Sequence, residues 1–214
     1  MLNVCFKQAF DMADTKQRLL EVAGEVFAEK GFHNATIREI CDRAQANIAA
    51  VNYHYRDKEG LYFGVLEYWC RLGEKEFPLD NGLAPNAPPE KRLEAFIRSF
   101  LFRILDKSKP AWLSQLMARE IAEPTAALDR LIAEVYRPLA DHLAEIIRSL
   151  LGAAATDEKV WLCSRSVLGQ CLYYYYAKPA IVRMTPEFTY TPADLETLAA
   201  HITQFSLGGL RQLS

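Results

Sequence analysis

Side chains able to make directed polar contacts concentrate between Thr36 and Lys58. Thr36 offers a hydroxyl, Arg38 a guanidinium, Asn47 and Asn52 amides, Tyr53 a phenol, His54 an imidazole and Lys58 an ammonium. Each can donate a hydrogen bond, so the group suits a partner rich in acceptors or negative charge. Nothing turns the set toward catalysis. His33, His54, His142 and His201 have no zinc-ligand spacing, and the chain lacks G-x-S-x-G, a phosphate-binding P-loop and G-x-G-x-x-G. The cysteines at 5, 41, 70, 163 and 171 form no C-x-x-C pair. The expectation is a protein that is no enzyme, with no cofactor and no metal. Its thiols are expected to be small buried hydrophobes in a reducing cytoplasm.

The helices that carry these residues make the chemistry specific. From Asp14 to Lys30, Leu19, Val22, Ala23, Val26 and Phe27 recur at helical spacing, and Glu21, Glu25 and Glu29 form a separate, solvated stripe. Gly31 suits a left-handed stop. Thr36-Ile37-Arg38-Glu39 reads as a capping box, in which Thr36 accepts from the backbone of Glu39 and Glu39 reaches back to that of Thr36. The short helix it opens buries Ile37, Ile40, Cys41 and Ala44. After a turn at Gln45-Ala46 another short helix starts near Asn47, anchored by Val51 and Tyr55, and Asp57 caps a longer one reaching about Glu76. Two short helices across a tight turn, braced by one upstream, make a helix-turn-helix whose second member can enter the major groove of duplex DNA. Thr36 and the first amides of its helix can then meet a phosphate, with Lys58 placed likewise at the next helix start. Arg38 can reach a guanine edge, Asn52 can pair with adenine, and Ile48, Ala49 and Ala50 can pack on thymine methyls. Arg38 can equally be a solvated residue, and His54 can pack between its flanking tyrosines. Tyr55 is assigned to the core.

The order of these residues is more telling than their periodicity. The stretch EVFAEKGFHNATIREICDRAQANIAAVNYHYRDKEGLY resembles the DNA-binding domain of TetR-type transcriptional regulators (the TetR/AcrR family). The resemblance rests on Phe27 to Gly31, Thr36, Ile40 to Ala44, Tyr53-His54-Tyr55 and Lys58-Glu59-Gly60-Leu61. The A-A-V-N-Y-H-Y stretch and LMAREIAEPTAALD are similar to the CecR-like (YbiH) branch of that family. The resemblance implies an all-α fold, with an N-terminal three-helix helix-turn-helix domain and a larger helical domain for ligand binding and dimerisation. It also implies that Tyr53 and His54 contact phosphates. Two departures bear on which operator is read. Gln45 stands where the family turn has glycine, and Ile48 and Ala50 stand where charged or hydroxyl residues are common.

The domain division read from these features is an N-terminal extension over 1–13, with Met12 an alternative start, then the helix-turn-helix domain over 14–60. A connecting helix and linker follow over 61–88, and an effector-binding and dimerisation domain over 89–214. Residues 77–90 hold four prolines and mark the break. Beyond it the pattern is helical over about 89–107, 111–122, 125–151, 156–178 and 192–212, with Pro138 expected to kink the third segment. Phe100, Ile104, Trp112, Leu116, Met117, Tyr136 and Tyr174 are the candidates for an effector pocket, with ordinary core as the alternative. Arg119 and Glu120, beside the stripe of Trp112, Leu116 and Met117, could orient a polar ligand. Tyr173 to Tyr176 cover nearly every side of their helix, so that helix should be buried on both sides. By resemblance it pairs with the last helix to form the dimer, through Trp161, Leu168, Leu172, Leu195, Leu198, Ile202 and Phe205.

Composition agrees and sets limits. Ala and Leu number 55 against 20 Val and Ile, which favours helix. A net charge of −2 excludes a chain that grips polyanions by bulk charge. Arg38, Arg43, Arg56 and Lys58 outnumber Glu39, Asp42 and Asp57 between residues 33 and 58, so the negative charge lies mostly elsewhere. A modest salt dependence of DNA binding follows. No apolar run approaches the length that spans a bilayer. The expected function is a cytoplasmic, ligand-responsive repressor that binds a pseudo-palindromic operator as a homodimer and, by resemblance, controls transport or drug-sensitivity genes. The competing reading is a helical module that binds a small molecule or protein without reading DNA, which the neutral Ile48-Ala49-Ala50 surface keeps open.

Overall fold

The computed structural model describes the backbone of residues 2–84, 86–107 and 109–214, and side chains from Thr15 onward within those ranges. Its regular elements are all helical. In chain order they are α1 (Leu2–Asn34), α2 (Ile37–Ala44), α3 (Ile48–Tyr55), α4 (Lys58–Glu76), α5 (Pro89–Leu105), α6 (Ala111–Ala122) and α7 (Ala126–Leu131). A π-helical turn (Ile132–Tyr136) leads into α8 (Arg137–Leu151), followed by a 3-10 turn (Gly152–Ala154), α9 (Asp157–Tyr176), α10 (Lys178–Met184) and α11 (Pro192–Leu213). α1 reaches back to Leu2, beyond the start near Asp14 read from periodicity. Cys5 and Met12 lie outside the residues whose side chains are described. At Gly31, where a stop was expected, the backbone breaks from helical geometry at φ +77° and makes a kink, after which helix resumes to Asn34.

The chain forms two compact units, residues 1–69 with 110–133, and residues 70–109 with 134–214. This differs from the division read along the sequence, because α6 and α7 join the N-terminal helices. The physical cause is the apolar stripe of α6, which lies on α1. The Trp112 ring covers Gly24 so closely that a Cβ there would stand 2.0 Å from it, and meets Trp69 edge-on. Leu19, Ala23, Val26 and Phe27 of α1, Ile40 and Ala44 of α2, Val51 of α3 and Leu61, Val65 and Leu66 of α4 complete the buried interior of this unit.

In the second unit α11 runs along α5, and α8 and α9 close the bundle. Leu93, Phe96, Ile97 and Leu101 of α5 meet Leu143, Ile146 and Ile147 of α8, Val167 of α9 and Leu198 and Ile202 of α11. Pro138 acts as expected. It has no N–H to give the preceding turn, and the chain widens there into the π-helical turn instead of continuing α7 unbroken. The short α10 was not foreseen. Pro179 sits in its first turn and sets the chain into a new helix just past α9.

Candidate nucleic-acid interface

α2 starts as its sequence requires. Thr36 is extended, and its hydroxyl accepts from the N–H of Glu39 at 3.2 Å. The reciprocal half of the expected capping box is replaced by ion pairs. Glu39 instead accepts from Lys30 at 2.6 Å and from Arg43 at 2.9 Å, and Arg43 also reaches Glu29 at 3.0 Å. Glu29 is therefore not simply a solvated residue. The Lys30 ammonium holds the Glu39 carboxyl below its usual range. Arg18 donates from Nε to the Ala44 carbonyl at 2.8 Å, closing the far end of α2. Gln45 then adopts φ +50°, taking the left-handed position where glycine costs least.

α3 is held by little and offers much. Asn47 caps it, its Oδ1 accepting from the Ala49 N–H at 2.9 Å, so the NH2 group of that side chain is what remains for a partner. Val51 is its buried anchor. Asn47, Ala49 and Asn52 are exposed, Ala50 is half-buried, and Ile48 and Tyr53 are 45% and 76% exposed. The Tyr53 ring meets His54 edge-on at 4.9 Å, and His54 is half-buried. The Tyr55 ring turns inward against Gly64, as assigned, and burial pushes its phenol up to about 12. Asp57 caps α4 as expected, its Oδ1 accepting from the Gly60 N–H at 2.8 Å. A Cβ at Gly60 would stand 1.9 Å from the Tyr55 carbonyl oxygen, so only glycine lets the two helices meet at this angle.

Thr36 and Arg38 are exposed beside this face, and no ion pair restrains Arg38 among the described residues. Lys58 is less free than its position suggested. Its ammonium donates to the carbonyls of His33 and Ala35 at 3.3 and 3.2 Å and lies over the Phe32 ring. It therefore pins the chain leading into Thr36, and any charge it shows a phosphate is shown from there.

The brace behind the helix pair was not legible in the sequence. Glu120, 1% exposed, accepts from the Tyr62 hydroxyl at 2.8 Å and from the Thr125 N–H at 2.9 Å. Burial, and next the bond to Glu120, raise the Tyr62 phenol well above its ordinary range. Arg119 donates to the Ala28 carbonyl. Both side chains make these contacts within the N-terminal unit.

The effector-pocket candidates fall in both units. Trp112, Leu116 and Met117 belong to the first unit, and Phe100, Ile104, Tyr136 and Tyr174 to the second. Of these, Tyr174 lines an open cleft of about 370 Å3 with Gly169, Gln170, Tyr173, His201 and Ile202. The dimer candidates divide as well. Leu168, Leu195, Leu198 and Ile202 are buried within the second unit's own core, and Leu172 packs against it, because α9 and α11 turn these residues toward α5 and α8. Trp161 and Phe205 point away, 57% and 67% exposed, and Leu162, Tyr173, Tyr176 and Leu213 join them in the open. Periodicity identified these helices as apolar without saying which apolar side faces the bundle.

Among the described residues no group of His, Cys, Asp and Glu could hold a metal, and no helix is long and apolar enough to cross a membrane. Cys41, Cys163 and Cys171 are buried, and Cys70 is half-buried. Residues 19–65 match the family described as "Bacterial regulatory proteins, tetR family", and residues 89–210 match "HTH-type transcriptional dual regulator CecR, C-terminal domain". The chain is 30% identical to the HTH-type transcriptional dual regulator CecR of Shigella flexneri, over 93% of this chain and 94% of that protein. Its fold is similar to the crystal structure of a transcriptional regulator from Pseudomonas aeruginosa PAO1, with a TM-score of 0.65, 23% identity and 93% of each chain covered. It is also similar to AibR in complex with isovaleryl coenzyme A and operator DNA, with a TM-score of 0.62 and 20% identity, covering 89% of this chain and 97% of that one.

Proposed function

Because the chain belongs to the TetR family of bacterial regulatory proteins, a family of DNA-binding regulators and not of enzymes, and carries a CecR-type C-terminal domain, we propose that it is a ligand-responsive repressor acting as a homodimer on a pseudo-palindromic operator. The observation that carries this reading is the outward face of α3. Asn52 and Tyr53 stand exposed on a helix whose ends are capped and whose inner side is anchored, so the side chains able to read DNA are presented and not packed. Thr36 and the first amides of α2 fix register on one phosphate, Tyr53 and His54 on another, and Arg38, Asn52 and the Ile48-Ala49-Ala50 surface read bases.

The dimer is the natural occupant of the exposed aromatic side of α9 and α11. Trp161, Tyr173 and Tyr176 of α9 and Phe205 of α11 are large apolar side chains left exposed in the single chain, and a second copy would take them out of water. Two copies related by a twofold axis present two copies of α3 to two half-sites. A small-molecule effector bound in the CecR-type domain acts if it prefers an arrangement in which the copies of α3 are wrongly spaced for the operator. AibR binds both an acyl coenzyme A and operator DNA, which illustrates such a pairing of ligands on this fold. Transport or drug-sensitivity genes are the proposed targets, and the cytoplasm is the place of action.

The test is a fluorescence-anisotropy titration of the protein with the duplex upstream of its own gene and with a scrambled duplex of equal length. Preferential binding to the first at physiological salt is expected. Equal binding to both, with every inverted repeat in the neighbouring intergenic DNA tried, overturns the reading.

A further inference from the structure

The turn between α3 and α4 has a conformation that its local sequence does not favour. Arg56 sits at φ +71° and ψ −51°. The N–H of Asp57 donates back to the Tyr55 carbonyl at 2.9 Å across it, which makes Arg56 the centre of a γ-turn of the strained hand. The geometry has a cause. Gly60 rests against the Tyr55 carbonyl, so the chain must reverse between Tyr55 and the Asp57 cap with one residue between them. Glycine takes that conformation at least cost, and an arginine there is held at the expense of stability. Such strain at a surface position directs attention to what the side chain does for the molecule.

The Arg56 side chain has no structural duty. It is exposed, and among the described residues it forms no ion pair, side-chain hydrogen bond or ring contact. Of the neighbouring basic residues, Arg38 is assigned to base edges and the others are engaged. Arg43 is paired with Glu29 and Glu39, Lys30 with Glu39, and Lys58 with two carbonyls and the Phe32 ring. The adjacent Asp57 carboxylate is occupied in capping α4. Arg56 lies three residues after Tyr53 and four after Asn52, so it continues the exposed edge of α3 that carries both.

We infer that Arg56 is a phosphate-contacting residue of the DNA interface, presented beyond the end of α3 by the γ-turn and clamping the duplex backbone beside the site occupied by Tyr53. The inference rests on the DNA-binding reading above. A guanidinium there adds one charge-assisted contact per copy to a surface where Lys30 and Arg43 are already paired with carboxylates. It fixes position without selecting bases.

The experiment measures affinity for the upstream duplex and for a scrambled one across a range of salt concentrations, using the full-length parent and the variants Arg56→Gly, Arg56→Gln and Arg56→Lys. For Arg56→Gly and Arg56→Gln, affinity is expected to fall by a similar factor on both duplexes. The slope of log K against log salt should become shallower by about two per dimer, one for each lost contact. Arg56→Lys should keep the parental slope, and Arg56→Gly should melt no lower than the parent, because it relieves the turn. An unchanged slope in Arg56→Gln, or a loss confined to one duplex, overturns the inference. A parent that binds both duplexes equally while the variants still lose slope refutes sequence-specific regulation and leaves the Arg56 contact standing. A parent that binds neither overturns both.

Discussion

Two regions of this molecule leave a helical face uncovered, and they do so in opposite ways. α3 is eight residues long, has Val51 as its buried residue, and shows solvent small, amide and phenol groups with one aliphatic side chain, Ile48. α9 and α11 are each about twenty residues long or more, are sunk by one side into a large core, and show solvent Trp161, Tyr173, Tyr176 and Phe205. The first face costs little to hydrate and can exchange water for phosphates and base edges. The second is apolar area kept in water, which costs about 25 cal/mol for each Å2 until another apolar surface covers it. Their anchoring follows the same contrast. α11 is held by bulk burial, whereas α3 is held by a few tight local devices, namely the Asn47 cap, the Gln45 turn and the approach of Gly60 to Tyr55. One uncovered face is thus held in place by backbone geometry, and the other by core packing.

The sharpest way to break this contrast is Phe205→Glu. The side chain is mostly exposed in the single chain, so the helix content and the melting of the isolated subunit should hardly change. A buried anchor at a dimer interface is worth about 2 kcal/mol or more, and an unpaired charge adds to that, so dimerisation should weaken by roughly two orders of magnitude. Sedimentation equilibrium checks this, and a variant that dimerises like the parent would remove Phe205 from the interface. Gly60→Ala comes next. It drives a methyl into a backbone oxygen at the corner that positions α3, and should cost about 2 kcal/mol of stability, read by denaturant unfolding, with loss of operator binding at fixed salt.

Asn52→Ala should leave stability unchanged, because the side chain is exposed. It should cost about 1 kcal/mol of discrimination at one base pair, seen as relaxed preference in a competition among single-base operator variants. An equal loss on every duplex would assign Asn52 to the phosphate backbone instead. The smallest effect belongs to the start of α11. The Thr191 backbone N–H, with further donors from the Thr191 and Thr189 residues, holds the Asp194 carboxyl below its usual range. A depressed folded value means that its contribution to stability is present above the ordinary carboxylate value and is lost as pH falls through the lower, folded one. In Asp194→Asn that acid-side loss should flatten slightly, whereas unfolding at neutral pH and DNA binding should move little. A flattening equal to that of a distant surface carboxylate variant would show that the cap contributes nothing.

Local rules carried furthest where partners lie within one turn. The Thr36 cap, the break at Gly31, the Asp57 cap and the widening at Pro138 all follow from residues three to five apart, or from a single residue's backbone preference. The same reasoning failed where a distant side chain competed. Glu39 was assigned to the Thr36 backbone, but Lys30, on the preceding helix, and Arg43 offer full charges, and a charge-assisted bond outweighs one to a neutral amide. Lys58 was assigned outward, but the carbonyls at the end of α1 lie within its reach. The γ-turn at Arg56 left no mark in the sequence, since an Arg-Asp pair before a helix ordinarily implies no positive φ.

The sequence by itself therefore determined the helical class, the helix-turn-helix, its caps and the family, because periodicity, capping chemistry and motif order are local properties of the chain. Tertiary structure alone decided how apolar stripes were shared out. Trp112 covered Gly24 of α1, Leu198 and Ile202 entered the core of the second unit, and Phe205 was left in the open. An apolar side chain is buried by whichever surface reaches it first, and periodicity states that a helix has an apolar side without stating what will cover it.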